Sequence, residues 1–154
     1  LMTARNFNVQ DFARYHPGGQ LGRNLWLHVA DVMHGVDRVA CVPCSATLKD
    51  VVIAMTRYPL GAACVLDDGK HLAGVITDGD VRRALQDCDD IRSLTAEQVM
   101  TAHPVAIDPG ASLELAVERM EKRASQISVL PVVSPDGKCI GLVRIHDIYQ
   151  ASLP

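Results

Sequence analysis

Leu48, Val51, Val52 and Met55 recur at the i, i+3, i+4, i+7 spacing of one helical face. Thr47 stands just before this stripe and Asp50 three residues after it, which predicts a capped helix whose apolar side faces a core. Apolar runs at residues 62–66 and 72–76 flank Asp67, Asp68, Gly69 and Lys70, the pattern of two strands joined by a tight turn. Beyond them Thr77, Asp78, Gly79 and Asp80 open a second helix, expected to carry Val81, Ala84 and Leu85 inward. A helical turn at 29–33 and a strand near 39–42 precede these elements, so the first half reads β-α-β-β-α.

The same order returns. After a polar joint at 87–93, Thr95-Ala-Glu-Gln98 forms a capping box, and Leu113, Ala116, Val117, Met120 and Ala124 repeat the helical stripe. Strands at 127–133 and 139–143 follow, joined by Ser134-Pro-Asp-Gly137, and a last helix covers about 145–151. Val32-Met33 answers to Val99-Met100, Ala46-Thr47-Leu48 to Ala111-Ser112-Leu113, Asp68-Gly69-Lys70 to Asp136-Gly137-Lys138, and Gly74 to Gly141. Matching pairs sit 65 to 68 positions apart. This is a tandem duplication. The expected fold is α/β, of the α+β type, with two β-α-β-β-α repeats at 24–90 and 91–154 packed about a pseudo-two-fold axis and a ligand-sized seam between them.

Composition narrows the functional classes. A chain of 154 residues with 48% hydrophobic and 21% charged residues can bury a core of its own. Net charge is −3, and Lys and Arg are scattered among acids, so nothing tracks a nucleic-acid backbone. The longest apolar runs are too short to span a membrane and no signal peptide opens the chain, which points to the cytoplasm. Five dispersed cysteines read as reduced thiols. Cys41 and Cys44 lack the second ligand pair that a zinc site needs, and the six histidines show no ligand spacing, so no metal is expected.

The chemistry concentrates where the apolar strand ending at Ile76 turns into a helix. Thr77 and Asp80 carry two readings. Thr77 caps the helix and Asp80 completes the box; or Thr77 and the helix start bind a phosphate while Asp80 accepts the two hydroxyls of a ribose. Arg82 and Arg83, one turn on, could reach a phosphate or simply face solvent.

Two β-α-β-β-α copies, each ending Gly-hydrophobic-hydrophobic-x-x-x-Asp, resemble a tandem pair of CBS domains, the Bateman module that senses adenosine nucleotides and related ligands. The resemblance covers about residues 29–153. It implies that Thr77 and Asp80 contact ligand phosphate and ribose. In the second copy Asp147 matches, but Arg144 replaces the hydroxyl residue and His146 stands where Gly79 does. Arg144 is either a bidentate phosphate ligand or the mark of a site that no longer binds in the family manner, and the two clefts are expected to differ.

Residues 1–23 belong to neither copy, and a start at Leu1-Met2 suggests the tail of an upstream domain. Asn6-Phe7, Asp11-Phe12-Ala13 and His16-Pro17-Gly18-Gly19-x-Leu21-Gly22-Arg23 are similar to the junction of bacterial arabinose 5-phosphate isomerases, where a sugar isomerase domain passes into a CBS pair. By that resemblance His16 is catalytic in the intact enzyme, which suits an enediol isomerisation needing a group that titrates near neutrality. The segment alone is expected to be inactive and to need no cofactor. It would bind AMP, ATP or a CMP-sugar as a regulatory ligand, act on its own sugar isomerase domain, and form homo-oligomers. The rival reading is a purely structural oligomerisation module with degenerate sites.

Overall fold

The structure is a computed structural model that describes residues 26–151. The junction motif with His16 and the 1–23 tail therefore lie outside the described residues. Helix α1 (Val29–Val32) leads into strand β1 (His34–Gly35) and a 3-10 turn (Val36–Arg38). The first repeat then runs β2 (Ala40–Pro43), α2 (Leu48–Arg57), β3 (Ala62–Leu66), β4 (Leu72–Thr77) and α3 (Asp78–Asp87). A 3-10 turn (Ile91–Ser93), α4 (Ala96–Val99) and β5 (Thr101–Ala102) lead to α5 (Leu113–Glu121), β6 (Val129–Val133), β7 (Cys139–Arg144) and α6 (Ile145–Ala151). No helix among the described residues is long and apolar enough to cross a membrane.

The predicted caps form. The Asp50 amide donates to Thr47 Oγ1 at 3.1 Å, and the Thr95 amide donates to Gln98 Oε1 at 2.9 Å. Leu48, Val51 and Met55 are buried against Ala63, Val65 and Ile76, and Leu113, Ala116, Val117 and Met120 are buried with Leu130 and Val132. Strand β3 is buried throughout because both faces are covered. Ala63 and Val65 meet the helices of their own repeat, while Ala62, Cys64 and Leu66 meet Val129, Cys139 and Leu142 of the other. The seam between the copies is thus a third apolar core.

The lead-in segments are exchanged. β5 pairs antiparallel with β4 of the first repeat, and β1 pairs antiparallel with β7 of the second. Two sheets result, in the orders β1-β7-β6 and β2-β3-β4-β5. Likewise α1 is tied to the second repeat by the Val29 amide donating to the Ala111 carbonyl at 2.9 Å, and α4 to the first by the Ala96 amide donating to the Ala46 carbonyl at 2.8 Å. The repeated Val-Met pairs are explained by this exchange: Met33 lies on Gly141 and Met100 on Gly74, each across the copy boundary.

Three details differ from the sequence expectation. Val52 is 41% exposed, whereas its counterpart Val117 is buried in the core that Tyr149 of α6 also joins. The first repeat has Arg82 at the place of Tyr149, so that cover is missing. Leu85 is 51% exposed because it lies about 100° around α3 from the half-buried Ala84. Ala124 is exposed and falls beyond the end of α5.

The opening strand of the second copy also shrinks. β2 pairs with β3 over four residues, but its counterpart keeps a single bridge, Ile107 with Val132. Pro104 has no N–H to give to a ladder, and His103 before it sits in the left-handed region at φ 51°.

Candidate functional site

A cleft of about 610 Å³ opens between the repeats beside the start of α3. Thr77, Asp80 and Arg83 form one wall; His103, Pro104 and Val105 form a second; Arg123 and residues 125–129, from the α5–β6 connection into the start of β6, form a third. The shortened strand of the second copy is what supplies the His103 wall.

At the turn into α3 the capping box is complete. The Thr77 amide donates to Asp80 Oδ2 at 2.9 Å, the Thr77 hydroxyl to the same oxygen at 3.1 Å, and the Asp80 amide to Thr77 Oγ1 at 3.4 Å. Arg83 Nη2 donates to Asp80 Oδ1. Thr77 and Asp80 therefore cap the helix and line the cleft at once. The Arg83 side chain is 65% exposed and Asp80 only 11%, so solvent screens the arginine end of the pair. Arg83 lines the cleft and Arg82 does not.

The pseudo-equivalent turn into α6 is arranged differently. Arg144 grips Asp147 with two parallel bonds, Nε to Oδ2 at 3.1 Å and Nη2 to Oδ1 at 2.8 Å, and its amide donates to Oδ2 at 3.1 Å. His34 Nε2, on the exchanged strand β1, lies 3.0 Å from the same Oδ2. The Arg144 side chain is 27% exposed against 65% for Arg83, while the two carboxylates are equally covered, Asp147 at 12% and Asp80 at 11%. Burial would push the Asp147 carboxyl up, but the hydrogen bonds from Arg144 and His34 together outweigh it and hold it below the usual carboxylate range. The bond to Asp147 also raises the Arg144 guanidinium. The smaller cleft here, about 370 Å³, is lined by Arg144 and His146 but by neither Asp147 nor His34, and it shares Leu60, Gly61, Asp78, Ser128 and Val129 with the first.

Sequence reasoning found Thr77, Asp80, Arg144 and Asp147, and the structure divides them into two unlike sites. It missed His34, His103 and Arg123. None belongs to a motif; only alignment of the two lead-in segments against the opposite copy would have brought His34 to Asp147. Cys41 and Cys44 pack on opposite sides of β2, one toward the seam and one toward the first-repeat core. Among the described residues, no group of three or more His, Cys, Asp or Glu side chains could hold a metal ion.

Comparison with known proteins agrees with this architecture. The family described as CBS domain matches residues 29–87 and 96–154. The arabinose 5-phosphate isomerase KdsD of Pseudomonas aeruginosa is 40% identical over 153 residues, covering 99% of this chain and 46% of the relative. The chain thus spans about half the length of the curated relatives it matches. Among solved structures, CBSX2 in complex with AMP aligns with a TM-score of 0.70 at 23% identity, covering 81% of this chain and 95% of that one. A CBS domain pair in complex with 5-methylthioadenosine and S-adenosyl-L-methionine aligns with a TM-score of 0.71 at 20% identity, covering 80% and 94%. With two matches to one family covering most of its length, the chain belongs to the CBS-domain family and is a tandem CBS pair matching the CBS region of arabinose 5-phosphate isomerases.

Proposed function

We propose that this chain is the regulatory segment of an arabinose 5-phosphate isomerase and binds one nucleotide or sugar nucleotide, in the Thr77–Asp80 cleft. The observation that carries the reading is the contrast between two equivalent carboxylates. Asp80 is bonded at Oδ2 by Thr77 and at Oδ1 by Arg83 alone, whose side chain is mostly exposed, whereas Asp147 is closed by Arg144 and His34. In the occupied cleft Asp80 accepts ribose hydroxyls and the Thr77 hydroxyl turns to phosphate. Candidate ligands are AMP, ATP and a CMP-sugar, which fits feedback from a pathway making an activated acidic sugar for lipopolysaccharide or capsule.

Because each repeat carries the other's lead-in strand, closure of the cleft on a ligand moves both repeats. Differential affinity for two arrangements would bias an upstream isomerase domain, where the resemblance places His16, by about 1–3 kcal/mol. That domain would interconvert ribulose 5-phosphate and arabinose 5-phosphate. Titration calorimetry with AMP, ATP and the CMP-sugar tests this: heat with at least one, lost in Thr77→Ala and Asp80→Ala, supports it. The closed Asp147 site favours a second reading, a module that only joins subunits; absence of binding by all three ligands, together with an oligomer on sizing columns, would select it.

A further inference from the structure

We infer that His34 is a latch: with Asp147 and Arg144 it fastens the segment that enters the pair to the second repeat, a fastening that the other lead-in lacks. The two lead-ins lie at the same register. His34 of β1 stands opposite Leu142, next to Gly141, and Thr101 of β5 stands opposite Val75, next to Gly74. From that position His34 Nε2 reaches Asp147 Oδ2 across the copy boundary at 3.0 Å. The carboxylate of Asp80, the twin of Asp147, takes its bonds from Thr77 and Arg83 of its own repeat, and none from β5 among the described residues.

Asp147 is a fixed post. Arg144 holds both of its oxygens, and the Arg144 amide adds a third bond. The carboxylate sits in the first turn of α6, whose Ile148 is buried in the same core as Val29 of α1. An ionised carboxylate only accepts, so the His34 ring presents Nε2–H to it. The His34 side chain is 29% exposed, and water competes poorly for a bond so covered. The ladder of β1 is two residues long, against about five or six in an ordinary strand, so a side-chain bond at its end weighs heavily. Neither His34 nor Asp147 lines either cleft, so the latch and a ligand do not compete for one carboxylate. Residues 1–25 precede this lead-in, and a displacement arriving from that side is delivered to Asp147 and α6 of the second repeat. Thr77 and Asp80 belong to the first.

Hydrogen exchange of the full chain, read by mass spectrometry over residues 28–35 and over their counterparts 95–102, tests this, because amide exchange measures local opening. His34→Leu removes the donor, His34→Gln places an amide nitrogen near the position of Nε2, and Asp147→Asn removes the charge; melting curves establish that each variant is folded. The expected result is exchange over 28–35 at least about fivefold faster in His34→Leu, with 95–102 unchanged and His34→Gln returning toward the parent rate. On the Asp147→Asn background, His34→Leu adds little. Exchange over 28–35 that His34→Leu leaves unchanged overturns the inference. Equal acceleration over both segments also overturns it, since His34 would then serve overall stability only. So does an acceleration by His34→Leu that is as large in Asp147→Asn as in the parent. None of these outcomes depends on whether a nucleotide binds, so the latch and the nucleotide reading stand or fall separately.

Discussion

A side chain on Gly141 would have to occupy the place of the His34 carbonyl: its Cβ would lie 2.4 Å from that oxygen and 3.1 Å from Met33 Sδ. Gly74 stands in the same relation to Met100, whose Sδ would be 2.4 Å from its Cβ. The two glycines are thus the points where each exchanged lead-in lies flat on the sheet of the opposite repeat. Gly141→Ala and Gly74→Ala are expected to destabilise the fold by about 1–3 kcal/mol each, since a backbone carbonyl cannot give way. Thermal or urea unfolding measures this, with the exposed Gly110→Ala as a control that should shift little.

The duplication, its helical stripes and its capping boxes were legible because they are local and periodic. The exchange was not. Val32-Met33 reads in sequence as the start of its own copy, and only the third dimension sets Met33 on Gly141. Likewise the residues around Ile107 align with those of β2, yet Pro104 and the left-handed His103 leave one bridge of that strand, and this opens the cleft wall. Thr77 and Asp80 were visible through a motif that also serves as a cap. Arg123 and His103 could not be singled out because neither belongs to a motif and only the fold brings them to the cleft.

Asp147 should make stability pH-dependent at the acid end. Its folded-state affinity for protons is depressed, so its contribution is fully present above the unfolded carboxylate value of about 4 and is lost as pH falls through the lower folded value. Asp147→Asn is expected to be less stable than the parent at pH 7, with the gap narrowing below about pH 4. Urea midpoints at several pH values check the convergence.

Removing one partner of the closed site should cost more than removing its exposed counterpart. Arg144→Ala leaves the largely covered Asp147 with His34 as its remaining side-chain partner, whereas Arg83→Ala removes a mostly exposed side chain and leaves Asp80 bonded to Thr77. Arg144→Ala is expected to lose about 1–3 kcal/mol and Arg83→Ala less than about 1 kcal/mol. Comparing their unfolding curves decides it.

Cys41 and Cys64, at the seam, should be inert. Hydrogen bonding with Cys139 and burial push the Cys41 and Cys64 thiols up, away from the reactive thiolate. Native protein treated with a disulfide reagent at pH 7 is expected to label Cys88 and leave Cys64 unmodified until denaturant is added. Rapid labelling of Cys64 in the folded state would mean that the seam opens.

In the proposed function one carboxylate receives a ribose and its twin is sealed. Equilibrium dialysis with labelled AMP counts the sites directly. The expected result is one AMP per chain, abolished by Asp80→Ala and retained in Arg144→Ala. Two equivalents per chain, or binding that survives Asp80→Ala and disappears in Arg144→Ala, would contradict it.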